Sequence, residues 1–310
     1  MTKPARRRRR IEEPAPGAIF TPFALAVGAV LLIALMWSYW PALRPLIREW
    51  QVDQNYSVGL LVPFAALWLL WHDRRKFQAV TIRPAWVGGI ALILVAQLAR
   101  AYGLLFLFES AERYSLVLSL AGLVLLVAGR QAFWRARWIL LFLFLMVPLP
   151  GKIHNLISGP LQSYATAGAV FLLELFGMSV ARDGNIITLN GSTELAVAEA
   201  CSGLRMLTAF VVVAAVLAYF VNRPPWQKAV LVVSSVPIAI ACNIIRLVIT
   251  AELYLLTSSE VAEKFFHDFA GLTMMPMAVL MLVGLLILLD RLVIEDQRAA
   301  SGTVPDRVES

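Results

Sequence analysis

Charged residues, cysteines and histidines are all scarce in this chain of 310 residues. Only 15% of the residues are charged, whereas 60% are hydrophobic. This composition excludes an ordinary soluble domain and is typical of a protein in a lipid bilayer. Two cysteines are too few for a disulfide framework. Because Cys242 lies within an apolar run, we expect no bridge between Cys201 and Cys242.

The patterns of metal and nucleotide sites are also missing from the sequence. Its three histidines form no His-Glu-x-x-His run. No glycine-rich phosphate loop follows a strand. The sequence therefore predicts an activity without a metal or cofactor.

Positive charge is concentrated at the start of the chain, which has a formal net charge of +7. The run Arg6–Arg10, with Lys3 beside it, directly precedes the first apolar segment. Such a cluster predicts a cytoplasmic anchor and not a nucleic-acid site. The apolar stretch Gly17–Trp40 is too long for a signal-peptide core, so it is expected to remain as a spanning helix. We predict a basic cytoplasmic tail at 1–17, a transmembrane domain at 18–291 and a polar cytoplasmic tail at 292–310.

The predicted fold is an all-α polytopic membrane protein with about eight transmembrane helices, each needing about 20 apolar residues. Eight spans place both termini and every basic loop in the cytoplasm. The predicted spans are Ala18–Trp40, Ser57–Trp71, Trp86–Phe108, Tyr114–Gly129, Trp138–Pro148, Gly203–Val221, Ala229–Leu256 and Gly271–Leu289. The basic segments are His72–Lys76, Arg130–Arg137, Asn222–Lys228 and the tail from Arg291.

The segment Ile153–Val180 is long and apolar enough for a further crossing, but a crossing would move the Asn222–Lys228 loop to the outside. Its first half is rich in polar residues, and Glu174 interrupts the second half. We therefore predict a re-entrant or interfacial helix that starts and ends outside. The following residues, Arg182–Ser192, have β-branched residues between Asp-Gly and Asn-Gly turn signals, which predicts a short extracytoplasmic β-hairpin.

Three reactive side chains, those of Cys201, Arg246 and His267, fall near the outer surface in this topology. A thiol at the start of a helix favours the thiolate, because the helix dipole and free N–H groups stabilise the anion. The imidazole can move protons, and the guanidinium can hold a developing oxyanion. Each residue also has a structural interpretation. Cys201 can be a buried hydrophobe, Arg246 can pair with Glu252 or Glu199, and His267 can face solvent.

Polar neighbours favour the catalytic interpretation. Glu199, Ser202 and Arg205 surround the thiol, and the N–H groups of Ser202 and Gly203 can serve an oxyanion. Asn243 lies one helical turn before Arg246, so it can support the guanidinium or a substrate carbonyl.

Three blocks of the sequence resemble the signatures of the exosortase/archaeosortase family. They are Ala198–Arg205, the segment Asn243–Leu247 with Thr250 and Ala251, and His267 with Gly271. Asp53–Pro63 and Phe142–Pro150 also resemble the second span and the proline-ended fifth span of that family, so the similarity runs from about Trp50 to Leu289. The first block is the specific one. Val58 departs from the pattern, because many relatives have His at this position.

The resemblance implies a multi-pass transpeptidase of the cell inner membrane with its site on the periplasmic side. Its substrates would be membrane-anchored proteins whose C-terminal sorting signal is a short motif, Pro-Glu-Pro in bacteria, followed by a hydrophobic helix and a basic tail. Cys201 would be the nucleophile, His267 the proton shuttle and Arg246 the electrophilic stabiliser. The sequence leaves open the acceptor and the choice between hydrolysis and transfer, since both use an acyl-enzyme. The alternative function is a transporter or polysaccharide-export subunit without peptidase activity.

Overall fold

Helices make up almost all of the regular structure, and one small sheet interrupts them. The computed structural model describes residues 22–78, 82–191, 193–196, 203–256 and 270–292. The chain divides into two units, residues 1–150 and residues 151–310. Each unit is described separately below.

The described part of the first unit contains seven α-helices and two short 3-10 helices. Apolar runs account for α1, α3, α5 and most of α6, whereas α2, α4 and α7 carry most of the basic residues. Arg100 of α5 and Arg113 of α6 are exceptions. The α-helices are α1 (Pro22–Ser38), α2 (Trp40–Val52), α3 (Leu61–His72), α4 (Arg74–Gln78), α5 (Trp86–Leu105), α6 (Glu109–Val127) and α7 (Gly129–Leu143), and the 3-10 helices are Ser57–Leu60 and Phe144–Met146.

Close packing of α5 against α6 depends on glycine. A β-carbon at Gly89 would lie 2.6 Å from the Cα of Leu126, and one at Gly103 would lie 2.7 Å from the backbone nitrogen of Glu112. Neither neighbour is the flexible end of a side chain, so larger residues would force the two helices apart. The two glycines thus allow the antiparallel pair to approach at both ends.

The second unit contains a three-stranded sheet and five described helices. The sheet has the strand order β1-β2-β3 with both pairs antiparallel. It therefore contains the predicted hairpin and adds a third strand to it. Its elements are α8 (Gly151–Leu175), β1 (Val180–Asp183), β2 (Ile186–Leu189), β3 (Thr193–Ala196), α9 (Leu204–Phe220), α10 (Pro225–Val233), α11 (Ser235–Leu256) and α12 (Ala270–Leu292).

One core cluster joins α8, α11 and the inner face of β2. Small residues make the contact between the helices possible, since a β-carbon at Gly168 would lie 2.5 Å from Cδ1 of Ile244. Ile187 and Leu189 alternate with the more exposed residues of β2 and are fully buried. The buried members of this cluster are Ala165, Ala169, Leu173, Ile187, Leu189, Leu247, Val248 and Ala251.

Among the described residues, four helical segments are long and apolar enough to cross a membrane, or five if the bent pair formed by α1 and α2 counts as one span. The four are Trp86–Leu105, Glu109–Val127, Gly151–Leu175 and Pro225–Leu256. Three predicted spans correspond to shorter apolar helices, at Ser57–His72, Leu204–Phe220 and Pro276–Leu289. The number of eight spans therefore stays a prediction.

Two predicted segments need comparison with the helices of the structure. Arg130–Arg137, expected as a loop before a span at Trp138, lies within α7, because arginine and alanine are good helix formers and nothing in this segment breaks a helix. The segment predicted to be re-entrant or interfacial contains one continuous helix, α8, of 25 residues or about 37 Å. That length is sufficient for a crossing, so the prediction that this segment starts and ends outside stays a prediction.

Candidate active site

The predicted site residues all belong to the second unit, but only four of them lie within the described residues. These four are Gly203, Arg205, Asn243 and Arg246. Cys201, Ser202, Glu199 and His267 lie outside the described residues. The described geometry therefore concerns the start of α9 and the middle of α11.

Gly203 brings the first sequence block into contact with the second. It is the N-cap of α9 and has φ +76° and ψ −5°, in the left-handed region that favours glycine. A β-carbon at this position would lie 3.0 Å from Nδ2 of Asn243 and 3.3 Å from its Cγ. The backbone that directly follows Cys201 and Ser202 thus lies against the Asn243 side chain.

Asn243 and Arg246 lie one turn apart on α11 and are both buried. Their exposed fractions are 1% and 6%. The hydroxyl of Thr250, one turn further on, donates to the backbone oxygen of Arg246 at 2.8 Å. A buried guanidinium is costly to desolvate, so its retention in an apolar helix marks a position with a specific role or a specific partner.

The structure argues against the pairing of Arg246 with Glu252. Six residues on an α-helix correspond to a rotation of about 120° between the two side chains, so Arg246 and Glu252 point to different faces of α11. Arg246 is buried, whereas Glu252 is partly exposed. The other proposed partner, Glu199, lies outside the described residues.

The depth of the site follows from the lengths of two helical arms. The 17 residues of α9 cover about 25 Å. Residues 221–224 link α9 to α10. From Pro225 to Asn243, α10 and the first part of α11 together cover about 27 Å. The contact between Gly203 and Asn243 therefore lies nearly one hydrocarbon thickness from the 221–224 link.

α12 packs against another side of α11. Cys242, the residue before Asn243, is fully buried, and its thiol donates to Sδ of Met281 on α12 at 3.7 Å. This contact places Cys242 in the packing between two helices, as its apolar context predicts. Within the described ranges, no three His, Cys, Asp or Glu side chains form a group that could hold a metal ion.

The structure also shows a contact beside Gly59 that the sequence did not predict. In the first unit, the indole N–H of Trp50 donates to the backbone oxygen of Met146 at 2.9 Å. A β-carbon at Gly59 would lie 2.5 Å from that indole nitrogen, so only glycine fits beside it. Tyr56 lies directly before the 3-10 helix Ser57–Leu60. Its pKa is raised to about 12, mainly because the side chain is buried and next because the Asp53 carboxylate is close. Tyr56 therefore stays protonated at physiological pH.

Replacing Gly203 with alanine is expected to reduce activity strongly and stability only moderately. The left-handed backbone costs a residue with a β-carbon about 1–2 kcal/mol, and the new methyl group would push Asn243 away from its position. The measurements are processing rate and thermal stability of the purified protein. Gly191→Ala is the matched control, because Gly191 also has a left-handed backbone, with φ +73°, and its β-carbon would meet nothing within 4 Å. Wild-type activity of Gly203→Ala would show that this contact has no role in the site.

A bundle of apolar helices with a buried arginine defines a multi-pass membrane protein. The sequence matches the family model of transmembrane exosortases over residues 50–284, and the chain therefore belongs to the exosortase family. This membership supports a general role as a membrane transpeptidase in protein sorting. The comparisons with curated proteins and with solved structures gave no match.

Proposed function

We propose that this exosortase is a cysteine peptidase or transpeptidase with Cys201 as nucleophile. The observation that carries the proposal is the contact between Gly203 and Asn243. Covalent geometry keeps the Cα of Cys201 within about 7 Å of that of Gly203. This spacing supports a position of the nucleophile near the start of α9, which contacts α11 one turn before Arg246.

The reaction uses the other predicted residues as follows. The Cys201 thiolate attacks the carbonyl carbon of the scissile amide, and the charge that develops on the oxygen is stabilised by Arg246 and by the N–H groups of Ser202 and Gly203. Protonated His267 gives its proton to the leaving amine, and a thioester remains on Cys201. Asn243, Arg205 and Glu199 support this arrangement. Water or an acceptor nucleophile then releases the acyl group.

The position of α12 supports the role of His267. This residue precedes the start of α12 by three positions, and α12 packs against both α9 and α11. The short sequence distance from His267 to a helix of this bundle supports its assignment to the site. The substrates are membrane-anchored proteins with a C-terminal sorting signal of a short motif, a helix and a basic tail. A shared bilayer would present the scissile bond at a fixed depth.

A trapped thioester tests this function directly. We expect a co-expressed tail-signal substrate to form a hydroxylamine-sensitive adduct with the protein, mapped to Cys201 by mass spectrometry. The adduct should persist in the control variant Cys242→Ala, because Cys242 only packs against α12. Processing without any adduct at Cys201 would refute the proposed mechanism. Analysis of the released product as a free carboxylate or as a conjugate separates hydrolysis from transfer.

We further propose that the site opens on the periplasmic side of the inner membrane. The basic residues near the 221–224 link favour the cytoplasm for that link, and the Gly203–Asn243 contact lies near the opposite boundary. Single reporter cysteines at Asn190 and Ser258, in a chain without Cys201 and Cys242, should react with a membrane-impermeant thiol reagent added outside cells. A reporter at Asn222 should react only after the membrane is opened. Labelling of Asn222 from outside would reverse the proposed topology.

A further inference from the structure

The first unit has a sharp corner between α1 and α2. The directions of the two helices differ by 71° across a single residue, so α2 does not continue along the axis of the apolar α1. Trp37 and Trp40 flank the corner with exposed fractions of 84% and 52%. Exposed tryptophans at the end of an apolar helix are typical of the membrane–water interface. The corner therefore lies at such an interface, with α2 directed along it.

Polar contacts fix the orientation of this corner. The Tyr39 hydroxyl is hydrogen-bonded to Ser115 and Ser119 of α6 at 2.9 and 3.0 Å. The guanidinium of Arg100 lies 4.2 Å from the centre of the Tyr39 ring, which adds a cation–π contact. Tyr39, the residue at the corner, is thereby held against both α5 and α6.

The inner face of α2 is fixed as well. Arg113 of α6 donates to Glu49 at 2.6 Å, and the Trp50 indole is bonded to the Met146 backbone. Ala42 and Leu46 are buried on the same side. Because α2 is held along its length, its outer face has a fixed orientation.

The outer face of α2 carries two exposed arginines. Arg44 and Arg48 are one turn apart, and within the part of the chain that the structure describes neither forms a salt bridge. The Arg44 guanidinium lies 5.9 Å from the centre of the Trp40 ring. Two adjacent cations beside an interfacial tryptophan match the negative phosphates of lipid headgroups.

A second tryptophan–arginine pair marks the other membrane boundary of this unit. The Arg74 guanidinium lies 4.3 Å from the centre of the Trp71 ring, at the end of α3. From Ser57 onward, the 3-10 helix and α3 together cover about 26 Å to this point. That distance is close to the thickness of the hydrocarbon core. α2 and Arg74 therefore lie at opposite boundaries of one bilayer.

We propose that α2 is an interfacial helix whose Arg44 and Arg48 bind the phosphate groups of anionic phospholipid headgroups. The matched family region begins only at residue 50, so most of α2 lies before it. The headgroup site explains why an exposed face with two arginines occurs directly beside an apolar span. Bound lipid would anchor the corner in the plane of the membrane.

Local quenching of a fluorophore tests both the position of α2 and its lipid preference. The probe is attached to Val52→Cys in the full chain with Cys201→Ala and Cys242→Ala, because Val52 is 73% exposed. The protein is reconstituted in phosphatidylcholine vesicles that contain increasing amounts of nitroxide-labelled phosphatidylglycerol or nitroxide-labelled phosphatidylcholine. We expect stronger quenching by headgroup-labelled than by mid-chain-labelled lipid, and stronger quenching by phosphatidylglycerol than by phosphatidylcholine.

Variants of the two arginines assign the preference to the proposed site. Each surface arginine contributes about fivefold to anionic-lipid binding, so Arg44→Gln with Arg48→Gln should weaken the apparent affinity for phosphatidylglycerol about 25-fold. Lysine at both positions should retain most of it. Arg130→Gln, an exposed arginine of α7, should leave quenching at position 52 unchanged. Equal quenching by both lipids in the wild type, dominant mid-chain quenching, or an unchanged preference in the glutamine pair would each overturn the proposal.

Discussion

Cys201→Ala is expected to abolish processing of a tail-signal substrate while the protein remains in the membrane at nearly normal abundance. Without the thiol no acyl-enzyme can form, and neither water nor an acceptor replaces it in the first step. Loss of a catalytic nucleophile typically costs many orders of magnitude, so residual processing should fall below detection. The measurement is the conversion of a co-expressed substrate, followed by immunoblotting of both forms.

The other cysteine provides the matched control for this result. Cys242→Ala removes a fully buried thiol that contacts Met281. It should lower stability by about 1 kcal/mol and leave processing intact. Cys201→Ser is a second informative variant, since a hydroxyl is a far weaker nucleophile and should not restore the rate. If Cys201→Ala processed substrate at the wild-type rate, the assignment of the nucleophile would be wrong.

Much of the fold is predictable from the sequence because the bilayer imposes a simple rule. Long apolar runs must form helices, since no water is present to satisfy the backbone. The observed bounds of α5 and α9 thus lie close to the predicted ones, at Trp86–Leu105 and Leu204–Phe220. The paired turn signals of the hairpin likewise predict β1 and β2. The exosortase family was also recognisable, and the match over residues 50–284 confirms it.

The features that the sequence did not predict depend on contacts between distant residues. Nothing in the local pattern of Gly59 indicates that it lies beside the Trp50 indole, and nothing near Gly203 indicates contact with Asn243. The corner at Tyr39 was also missed, because the apolar pattern of the first span continues as far as Trp40 and hides the bend. In each case tertiary packing, which has no local periodicity, decides the structure.

The candidate site was predictable in part for a different reason. A charged residue in an apolar helix is rare because placing a charge in the membrane costs free energy. This alone identifies Arg246 as a candidate site residue. Its neighbour Asn243 follows from helical spacing, and the structure places both on the buried side of α11. The roles of Cys201 and His267 rest on residue chemistry and on family resemblance, and they stay predictions.

Arg246→Lys is expected to lower kcat/KM about a hundredfold, with little change in the abundance of the protein in the membrane. Lysine retains a positive charge but lacks the planar fork that can hold an oxyanion and a neighbouring carbonyl together. Removal of one oxyanion donor typically costs 100- to 1000-fold in rate. The comparison uses kcat/KM values for one purified substrate, measured at equal protein concentration.

A double-mutant cycle with Asn243→Ala separates catalysis from packing at this position. If Asn243 supports the guanidinium, its removal should cost activity in the wild type and little further activity in Arg246→Lys. Independent structural roles would instead give additive losses of stability and no coupling in rate. Arg182→Lys is the control for a generic arginine effect, because Arg182 lies on the exposed strand β1. Full activity of Arg246→Lys would show that positive charge alone is sufficient, and a simple ion pair would then be the better account of Arg246.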